Sequence, residues 1–334
     1  MGESVKSTVC GEGTILARRY RLEGAIASGG WGTVFRASHL ALGHEVAVKV
    51  LHERALHEDA LRRFAREAKI AARLGELSRN VARVIDYGVE SSRPFLVMEL
   101  LRGEDLRERL EREPKLEPAM VVEITSQLCA GLEVAHELGI VHRDIKPANV
   151  FLARTGTARR PELVIKLMDF GVATLCAETT MRNGLVLGTP AFMSPEQIQG
   201  QPIDARSDLW AVGALVYRML TGVTPFGNGP VHELGERIVG EDPEPPSSLV
   251  PELSPAIDAW MERALAKQPT DRFASATDLA IALEAALAPK RSSHPALLGN
   301  RSGVRAIERP RVPFPVIVAL SIVVILLLSF VLRR

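Results

Sequence analysis

The residue types best suited to chemistry lie together in the segment His142–Asn149. Within six positions it holds a carboxylate, an ammonium group and an amide, on Asp144, Lys146 and Asn149. Phosphoryl transfer uses such a set: one group accepts the hydroxyl proton, one neutralises charge on the moving phosphoryl group, and one holds a metal ion. The segment therefore predicts phosphoryl-transfer chemistry.

A second carboxylate suited to binding a metal ion follows in Asp169-Phe170-Gly171. The tripeptide comes directly after the β-type run Leu163–Met168. A structural turn would explain an isolated Asp-Phe-Gly sequence, but it does not explain one placed in this position after the segment 142–149. We therefore predict that Asp169 belongs to the same site.

A glycine-rich segment, 27–34, lies between two β-type runs near the start of the chain. Glycines there allow backbone amides to approach phosphate oxygens, because a Cβ atom would hold the chain away. Taken alone, this pattern is explained better by a plain hairpin turn. Lys49 follows on the strand-like run 46–49, whose alternation would aim it into the cleft, although a lone strand lysine is usually solvated. Glu67 comes 18 residues later on a helix, where it could pair with Lys49.

The elements that must position these groups fall into two zones. Residues 20–101 alternate short β-type runs with one helical stretch near 55–75, whereas residues 102–287 are mostly helical in pattern. A loop-and-strand region at 140–170 and a Thr/Gly-rich loop at 172–195 interrupt the second zone. The β-type runs of the first zone are Tyr20–Ile26, Thr33–Ser38, Glu45–Leu51, Val81–Tyr87 and Phe95–Leu100. The apolar face of the helical stretch comprises Leu61, Phe64, Ala68, Ala71 and Leu74.

Length and composition agree with an enzyme-sized globular domain. A chain of 334 residues with 46% apolar content can bury a sizeable core, as one large two-lobed domain or two ordinary ones. Its 41 basic and 40 acidic residues nearly cancel and only 5% of residues are aromatic, which argues against nucleic acid as a partner. Three cysteines without paired spacing support neither a disulfide scaffold nor a zinc site.

The two ends of the chain differ from this central part. Residues 1–19 mix charged residues with Gly, Ser and Thr, which predicts a flexible leader without a secretory signal. Residues 288–311 carry six basic side chains against one acidic side chain and predict a basic juxtamembrane linker. The 21 uncharged residues 312–332 favour a transmembrane helix over a buried core helix, since their ~31 Å length matches the ~30 Å hydrocarbon core.

The order of the motifs resembles that of one family. Over residues 20–287 the chain resembles a eukaryotic-type (Hanks-type) bacterial membrane-anchored serine/threonine protein kinase. This resemblance implies an α+β, bilobal protein-kinase-like fold with a small antiparallel β-sheet lobe plus one helix (20–101) and a larger, mainly helical lobe (102–287). One C-terminal transmembrane helix would follow. Besides the motifs above, the resemblance rests on Gly188-Thr189-Pro190, Ser194-Pro195-Glu196, the run 204–210 and Asp271-Arg272-Phe273.

The resemblance also implies a role for each motif residue. Asp144 would be the catalytic base that orients the substrate hydroxyl, and Lys146 would stabilise the transferring γ-phosphoryl group. Asn149 and Asp169 would hold Mg²⁺, with Mn²⁺ as an alternative. The ATP-binding residues would be Ile26, Ala27, Ser28, Gly29, Gly30, Trp31, Gly32, Val34, Ala47, Lys49, Glu67, Met98, Glu99, Leu101 and Asp105.

Within that ATP site, the resemblance assigns contacts to individual parts of the nucleotide. Lys49 would contact the α- and β-phosphates. The backbone groups of Glu99 and Leu101 would form hydrogen bonds with adenine, behind Met98 at the gatekeeper position. Asp105 would meet the ribose.

Other motif residues would serve as scaffold. Glu196 and Arg272 would form a structural ion pair of the large lobe, and Asp208 would brace the catalytic loop. The stretch Ala153–Leu163 is longer than a tight strand connection requires and carries three arginines, so it is interpreted as a solvated loop in preference to a docking site.

The chain departs from the family pattern at two positions. Ala27 stands where the family has the first glycine of the phosphate loop, and a modest effect on nucleotide affinity is expected. Thr174 stands where relatives usually have a basic residue that helps to bind an activation-loop phosphate. Arg143 remains, so we expect phosphorylation of Thr179 and Thr180 to activate the enzyme only in part.

The function implied by the resemblance is transfer of the ATP γ-phosphoryl group to Ser and Thr hydroxyls of proteins, including autophosphorylation. Lys146 together with Thr189 resembles the serine/threonine class and not the tyrosine class. Dimerisation would allow phosphorylation between two copies. The alternatives are a pseudokinase scaffold that binds ATP or a protein partner without catalysis, and a small-molecule kinase with a related core.

The charge distribution around the predicted span indicates its orientation. Six basic residues lie in 288–311, and two, Arg333 and Arg334, follow the span. Basic residues favour the cytoplasmic side of a membrane helix. We therefore expect a single-pass protein of the cell membrane with its kinase domain in the cytoplasm.

Overall fold

The computed structural model describes residues 11–29, 32–52, 58–91, 93–157, 160–170 and 190–288. Within these ranges, no helix combines the length and the apolar character needed to cross a bilayer. The predicted transmembrane helix, 312–332, and all of the predicted linker except Ala288 lie outside them.

Six antiparallel strands form the N-terminal sheet, in the order β1-β2-β3-β4-β6-β5. In β4, Val46, Val48 and Val50 are buried in a cluster on one face of the sheet. Because side chains alternate along a strand, Ala47 and Lys49 lie on the opposite face. The strands are β1 (Ile15–Leu16), β2 (Tyr20–Gly29), β3 (Gly32–His39), β4 (Glu45–Leu51), β5 (Val84–Glu90) and β6 (Arg93–Glu99).

One helix, α1 (Glu58–Leu77), packs on this sheet through the predicted apolar face. Phe64, Ala68, Ala71 and Leu74 are buried, and they belong to the cluster that continues into the C-terminal lobe. The three- and four-residue spacing of these positions places them on one side of the helix. The helix therefore joins the N-terminal sheet to the main core.

The C-terminal lobe is mainly helical. Its central helix is buried along most of its length, and Trp210 within it is fully buried. The helices are α2 (Leu106–Arg112), α3 (Pro118–Glu137), α4 (Pro195–Ile198), α5 (Ala205–Thr221), α6 (Val231–Gly240), α7 (Pro246–Leu249), α8 (Pro255–Ala264) and α9 (Ala276–Leu287). A sheet followed by a helical lobe confirms the predicted bilobal α+β class.

The start of the folded part differs from the sequence prediction. Residues 1–19 were expected to form a flexible leader, but Ile15–Leu16 pairs with the first residues of β2. The side chain of Leu16 is 1% exposed. Burial of this one apolar side chain in the sheet cluster stabilises the preceding turn of chain, so the ordered structure begins before residue 20.

The stretch Ala153–Leu163 was predicted to be a solvated loop, and this prediction is wrong. Strands β8 (Val150–Thr157) and β9 (Arg160–Leu167) continue through it as an antiparallel hairpin, and β7 (Gly103–Asp105) pairs with β8. Gly156 has a φ of +82°, and a Cβ atom there would lie 2.3 Å from the Arg160 carbonyl oxygen. Gly156 is therefore what allows the strands to stay paired.

Candidate active site

Asp208, near the start of α5, holds the segment 142–149 in place. The backbone N–H groups of His142 and Arg143 each donate to one oxygen of the Asp208 carboxylate, at 2.8 Å. Arg143 has a φ of +69°, a backbone conformation that residues other than glycine seldom adopt. The buried carboxylate stabilises this conformation, which confirms the predicted bracing role of Asp208.

Asp144, Lys146 and Asn149 meet at one point of this segment. Lys146 Nζ lies 2.7 Å from Asp144 Oδ2 and 3.0 Å from Oδ1. Asn149 Nδ2 donates to Asp144 Oδ2 at 2.9 Å. The side chain of Asp144 is 33% exposed, so a hydroxyl group can reach the fixed carboxylate and transfer its proton to it.

The amide of Asn149 also fits a metal-binding role. Its Nδ2 atom donates to the backbone and side-chain oxygens of Asp144, which leaves Oδ1 for a cation. The Met168 N–H donates to the Asn149 carbonyl oxygen at 2.9 Å and so links Asn149 to the residue before Asp169. An amide oxygen with a carboxylate is the oxygen donor set that Mg²⁺ prefers. These residues therefore fit a divalent cation.

His142 connects this segment to the end of β9. Its Nε2 atom lies 2.9 Å from the Met168 carbonyl oxygen, and its Nδ1 atom accepts from the Asp144 N–H at 3.2 Å. Its ring packs edge-on against Phe170, with 4.6 Å between ring centroids. Asp169 lies between these contacts with a φ of +60°. The packing on both sides stabilises that strained position.

Lys49 reaches the site from the N-terminal sheet. Its Nζ atom lies 2.7 Å from each carboxylate oxygen of Asp169. Burial raises the pKa of Asp169, the Lys49 ammonium group lowers it, and the net shift is downward, so the carboxylate stays charged. The ammonium group is thus paired with Asp169 and not with Glu67, the partner expected from the sequence. Spacing alone cannot choose between the two carboxylates, because the choice depends on how α1 lies against β4.

The predicted phosphate loop is the β2–β3 hairpin. Residues Ala27 and Ser28 pair with Val34 and Thr33 across it. A Cβ atom on Gly32 would lie 2.4 Å from the Val50 carbonyl oxygen, so this position requires glycine. Of the residues predicted to bind ATP, Ile26, Ala27, Ser28, Gly29, Gly32 and Val34 lie on these strands, while Gly30 and Trp31 fall outside the described residues.

Residues at the end of β6 lie where adenine is expected to bind. Ala47 of β4 pairs with Met98 of β6, directly before Glu99. The Glu99 N–H donates to the Arg83 carbonyl oxygen at 3.0 Å, so Glu99 can offer adenine its carbonyl oxygen only. Leu101 follows, and its backbone N–H donates no hydrogen bond within the described ranges. The arrangement supplies one acceptor and one donor.

Asp105, the residue predicted to contact the ribose, caps the start of α2. Its Oδ1 atom accepts from the Glu108 N–H at 2.8 Å, and Glu108 accepts in return from the Asp105 N–H, which is the capping box of α2. Its Oδ2 atom lies 3.1 Å from Arg107. The start of α2 uses this carboxylate, and the contact of Asp105 with the ribose stays a prediction.

The predicted ion pair of the large lobe is confirmed. Arg272 donates to both carboxylate oxygens of Glu196, at 2.7 and 2.8 Å, and also to three backbone carbonyl oxygens. Ser207 Oγ donates to Glu196 at 2.6 Å. Burial raises the pKa of Glu196, the hydrogen bonds from Arg272 and Ser207 lower it, and the result is a pKa of about 2.

One residue of the site could not be found from the sequence. Gln197 Nε2 donates to the Arg143 carbonyl oxygen at 2.8 Å, which ties α4 to the segment 142–149. The side chain of Gln197 also closes the capping box of α4 on Ser194. The Ser194-Pro195 sequence signals a helix start, but no local signal connects Gln197 to a residue 54 positions earlier.

Comparison with known proteins agrees with this geometry. Residues 20–282 match the family model described as the protein kinase domain. The chain is 39% identical to the serine/threonine-protein kinase pkn3 of Myxococcus xanthus, over 88% of this chain and 55% of the relative. It is 36% identical to the probable serine/threonine-protein kinase PknB of Corynebacterium glutamicum, over 90% of this chain and 46% of the relative. The chain thus spans about half the length of these curated relatives.

A solved structure shows the same fold. The kinase domain of Mycobacterium tuberculosis PknI, as a C20A_R136A double mutant, aligns with a TM-score of 0.67 at 26% identity. The alignment covers 84% of this chain and 99% of that domain. The chain therefore belongs to the protein kinase family, among the bacterial serine/threonine protein kinases.

Proposed function

We propose that this chain is an ATP-dependent transferase that phosphorylates Ser and Thr side chains of proteins. The observation that carries the proposal is the joined cluster of Asp144, Lys146 and Asn149, in which Lys146 lies 2.7 Å and Asn149 lies 2.9 Å from one carboxylate oxygen. Lys49 and Asp169 face this cluster from the other lobe and from the end of β9. Pseudokinase scaffolds typically lack at least one of these groups, so catalysis is favoured over binding alone.

The residues divide the reaction among them. Asp144 orients the acceptor hydroxyl and accepts its proton, and Lys146 stabilises charge on the transferred group. With ATP bound, Lys49 would contact phosphate oxygens in place of Asp169, and the Asp169 carboxylate and Asn149 Oδ1 would then be the groups that hold Mg²⁺. When bound, the metal neutralises charge on the phosphates. The Glu99 carbonyl and the Leu101 N–H would hold adenine, and the γ-phosphoryl group would pass to the hydroxyl oxygen that Asp144 orients, with ADP as the leaving group.

Incubation of the full chain with labelled ATP and a generic protein substrate tests this function. Wild type should transfer phosphate to Ser and Thr only, and Asp144→Asn should lower the rate by at least about 100-fold, in line with loss of a general base. Transfer by Asp144→Asn at the wild-type rate would contradict the role of Asp144. ATP binding without phosphate transfer by wild type would identify a pseudokinase scaffold. Phosphate transfer only to small molecules would identify a small-molecule kinase with a related core.

We also propose autophosphorylation of the segment between Asp169 and Glu196. Thr179 and Thr180 lie in it, outside the described residues, and Arg143 is the cation nearest in sequence to the catalytic base. A phosphothreonine brings about two negative charges and three acceptor oxygens, enough to order a segment against an arginine. Mass spectrometry of active protein, mixed with a kinase-dead tagged copy, would show phosphate at these threonines and whether a second copy supplies it. Active protein without phosphate between 172 and 190 would remove the proposal.

Attachment to the cell membrane by 312–332, with the kinase domain in the cytoplasm, is proposed from the sequence. The support is the 21-residue uncharged run and the six basic residues that precede it. Fractionation should recover the full chain with membranes, and protease added outside intact cells should leave the kinase domain uncut. Fully soluble chain would refute the span, and digestion of the domain would reverse the orientation.

A further inference from the structure

A cleft lies between the segment 99–102 and the β8–β9 hairpin, apart from the cluster around Asp144. We define it as the hairpin cleft. Its volume is about 390 Å³, which falls within the range of about 300–1,000 Å³ typical of ligand pockets. The hairpin that forms one wall is anchored to the opposite wall by a hydrogen bond from the Arg154 N–H to the Arg102 carbonyl oxygen, at 2.8 Å. The walls are therefore fixed relative to each other.

The rim of the hairpin cleft is basic. Four basic side chains line it, whereas Glu99 is the one acid among its described lining residues. Glu99 is already engaged, because its Oε1 atom accepts from Lys166 at 2.6 Å and from the Arg83 N–H at 2.8 Å. The basic lining residues are Arg79, Arg102, Arg154 and Lys166. Arg79 is paired with Glu162 at 2.6 Å and Lys166 with Glu99, so the excess positive charge of the cleft rests on Arg102 and Arg154.

Two of these arginines have only loose acidic neighbours. Arg102 lies 4.0 Å from Glu45, and Arg154 lies 3.9 Å from Glu104. Glu104 is held more closely by Arg112, at 2.8 Å. Exposed pairs at such distances contribute little. The guanidinium groups of Arg102 and Arg154, one on each wall, can therefore take a new carboxylate at small cost.

The floor of the cleft is apolar, and the exposure of its rim indicates the kind of ligand. Leu100 lines the cleft and is half-buried, so part of its apolar side chain is open to a ligand. Ala153 and Val164, at 1% and 2% exposure, close the base beneath it. The side chains of Arg79, Arg102 and Arg154 are 64%, 85% and 74% exposed. A small anion needs enclosed donors to compete with water, whereas exposed arginines over an apolar floor suit a chain with carboxylates and an apolar side chain.

We propose that the hairpin cleft is a docking site for an acidic peptide segment of a protein substrate, with an apolar side chain against Leu100. That the docked protein is a substrate rests on the proposed kinase function. That the docked segment is acidic rests on the cleft alone. Carboxylates of the segment pair with Arg102 and Arg154. The cleft shares Glu99 and Leu101 with the proposed adenine contacts, which use only the backbone groups of these residues. Because the cleft does not include Asp144, docking raises the local concentration of the acceptor and leaves the catalytic base unchanged.

Binding is tested first on the full chain in detergent by fluorescence anisotropy. The probe is a short labelled peptide of Glu and Asp residues with a central Leu pair, and its control has Gln at every acidic position. Arg102→Glu with Arg154→Glu should weaken acidic-peptide binding at least about tenfold, as expected for close charge pairs. Arg21→Glu with Lys115→Glu changes the net charge equally at exposed sites outside the cleft and should shift affinity less than about twofold.

Several results would overturn the docking proposal. The first is equal affinity for the acidic peptide and for its Gln control. The second is an equal loss of affinity in the Arg21/Lys115 control variant, and the third is wild-type affinity in the Arg102/Arg154 variant. Displacement of the peptide by inorganic phosphate at the same concentration as by unlabelled peptide would make the cleft a small-anion site instead. Should the charge reversal prevent folding, Arg102→Gln with Arg154→Gln is measured in its place, with the same expected direction.

Catalysis separates this proposal from the proposed function. A protein substrate with an added acidic tail should show a kcat/KM at least about tenfold above the same substrate without it, through KM. The ratio of kcat/KM with the acidic tail to kcat/KM without it should fall to about one in the Arg102/Arg154 variant and stay high in the Arg21/Lys115 control. Peptide binding must persist in Asp144→Asn. Binding without activity in wild type would refute the kinase function alone, and an unchanged ratio between variants would refute docking alone.

Discussion

Two ion pairs with similar N–O distances differ in burial and in the number of other contacts around them. Lys49 and Asp169 meet at 2.7 Å across the site, with side chains 10% and 27% exposed. Arg272 and Glu196 meet at 2.7 Å within the large lobe, with side chains 0% and 3% exposed. The first pair joins groups from two lobes, and the second joins α4 to the turn before α9.

The difference lies in how many other contacts each cation makes. Arg272 also donates to the carbonyl oxygens of Ala266, Lys267 and Arg206, so each nitrogen of its guanidinium group has a hydrogen-bond acceptor. Within the described residues, the ammonium group of Lys49 contacts Asp169 alone. A cation with one protein contact can exchange that contact for a ligand, whereas a cation with many contacts stabilises the local fold. The site uses the first kind for chemistry and the second as scaffold.

Breaking the buried pair should have the largest effect on stability. Arg272→Met leaves the Glu196 carboxylate buried without its main partner, which typically costs about 3–5 kcal/mol of unfolding free energy. Urea unfolding of the full chain, followed by the fluorescence of Trp210 and the other tryptophans, measures it. Adding Glu196→Gln to Arg272→Met should recover part of the loss, because the stranded charge is removed. A loss below about 1 kcal/mol would show that the pair is not the scaffold described.

Acid should weaken the same pair. Glu196 titrates at 4.5 when exposed and at about 2 in the folded protein. Because the folded-state pKa is the lower one, the contribution is complete above pH 4.5 and is lost as the pH falls to about 2. The shift corresponds to about 3 kcal/mol.

Urea unfolding between about pH 5 and pH 2.5 checks this dependence. Glu196→Gln is the matched control, since it keeps the shape and removes the titration. The wild-type unfolding free energy should fall more steeply over this interval than that of the variant. Parallel curves would mean that the carboxylate is not held in its charged form.

The exchangeable pair should affect catalysis more than folding. Lys49→Met removes a positioned charge and should lower kcat/KM by at least about 100-fold, as losses of such charge-stabilising groups do. Its effect on unfolding free energy should stay below that of Arg272→Met. Lys115→Met, at an exposed lysine outside the site, is the control for activity. Phosphate transfer from labelled ATP at the wild-type rate would contradict the role of Lys49, whatever its stability.

The sequence predicts the site best where short segments carry both the chemistry and its backbone. Asp144, Lys146 and Asn149 lie within six residues, and their contacts are confirmed because no distant element has to be placed to form them. Glu196 and Arg272 are 76 residues apart, and only the family resemblance connects them. Physical reasoning on single residues would not have paired them.

The pairing predicted for Lys49 fails because the choice of its partner depends on packing between distant elements. Lys49 has two carboxylates within its expected reach, and the position of α1 on the sheet decides between them. The loop predicted at Ala153–Leu163 fails for a local reason, because Gly156 lets the two strands stay paired where a Cβ atom would meet the Arg160 carbonyl oxygen.

The smallest effect is expected for a pair that looks equally strong by distance. Arg79 Nη2 lies 2.6 Å from Glu162 Oε1, but the two side chains are 64% and 54% exposed. Water and salt screen such a pair, and holding two long side chains costs entropy, so a double-mutant cycle with Arg79→Ala and Glu162→Ala should give less than about 1 kcal/mol. The same cycle on Glu196 and Arg272 should give several-fold more. A coupling above about 2 kcal/mol for the exposed pair would mean that burial and added hydrogen bonds are not what separates scaffold pairs from the rest.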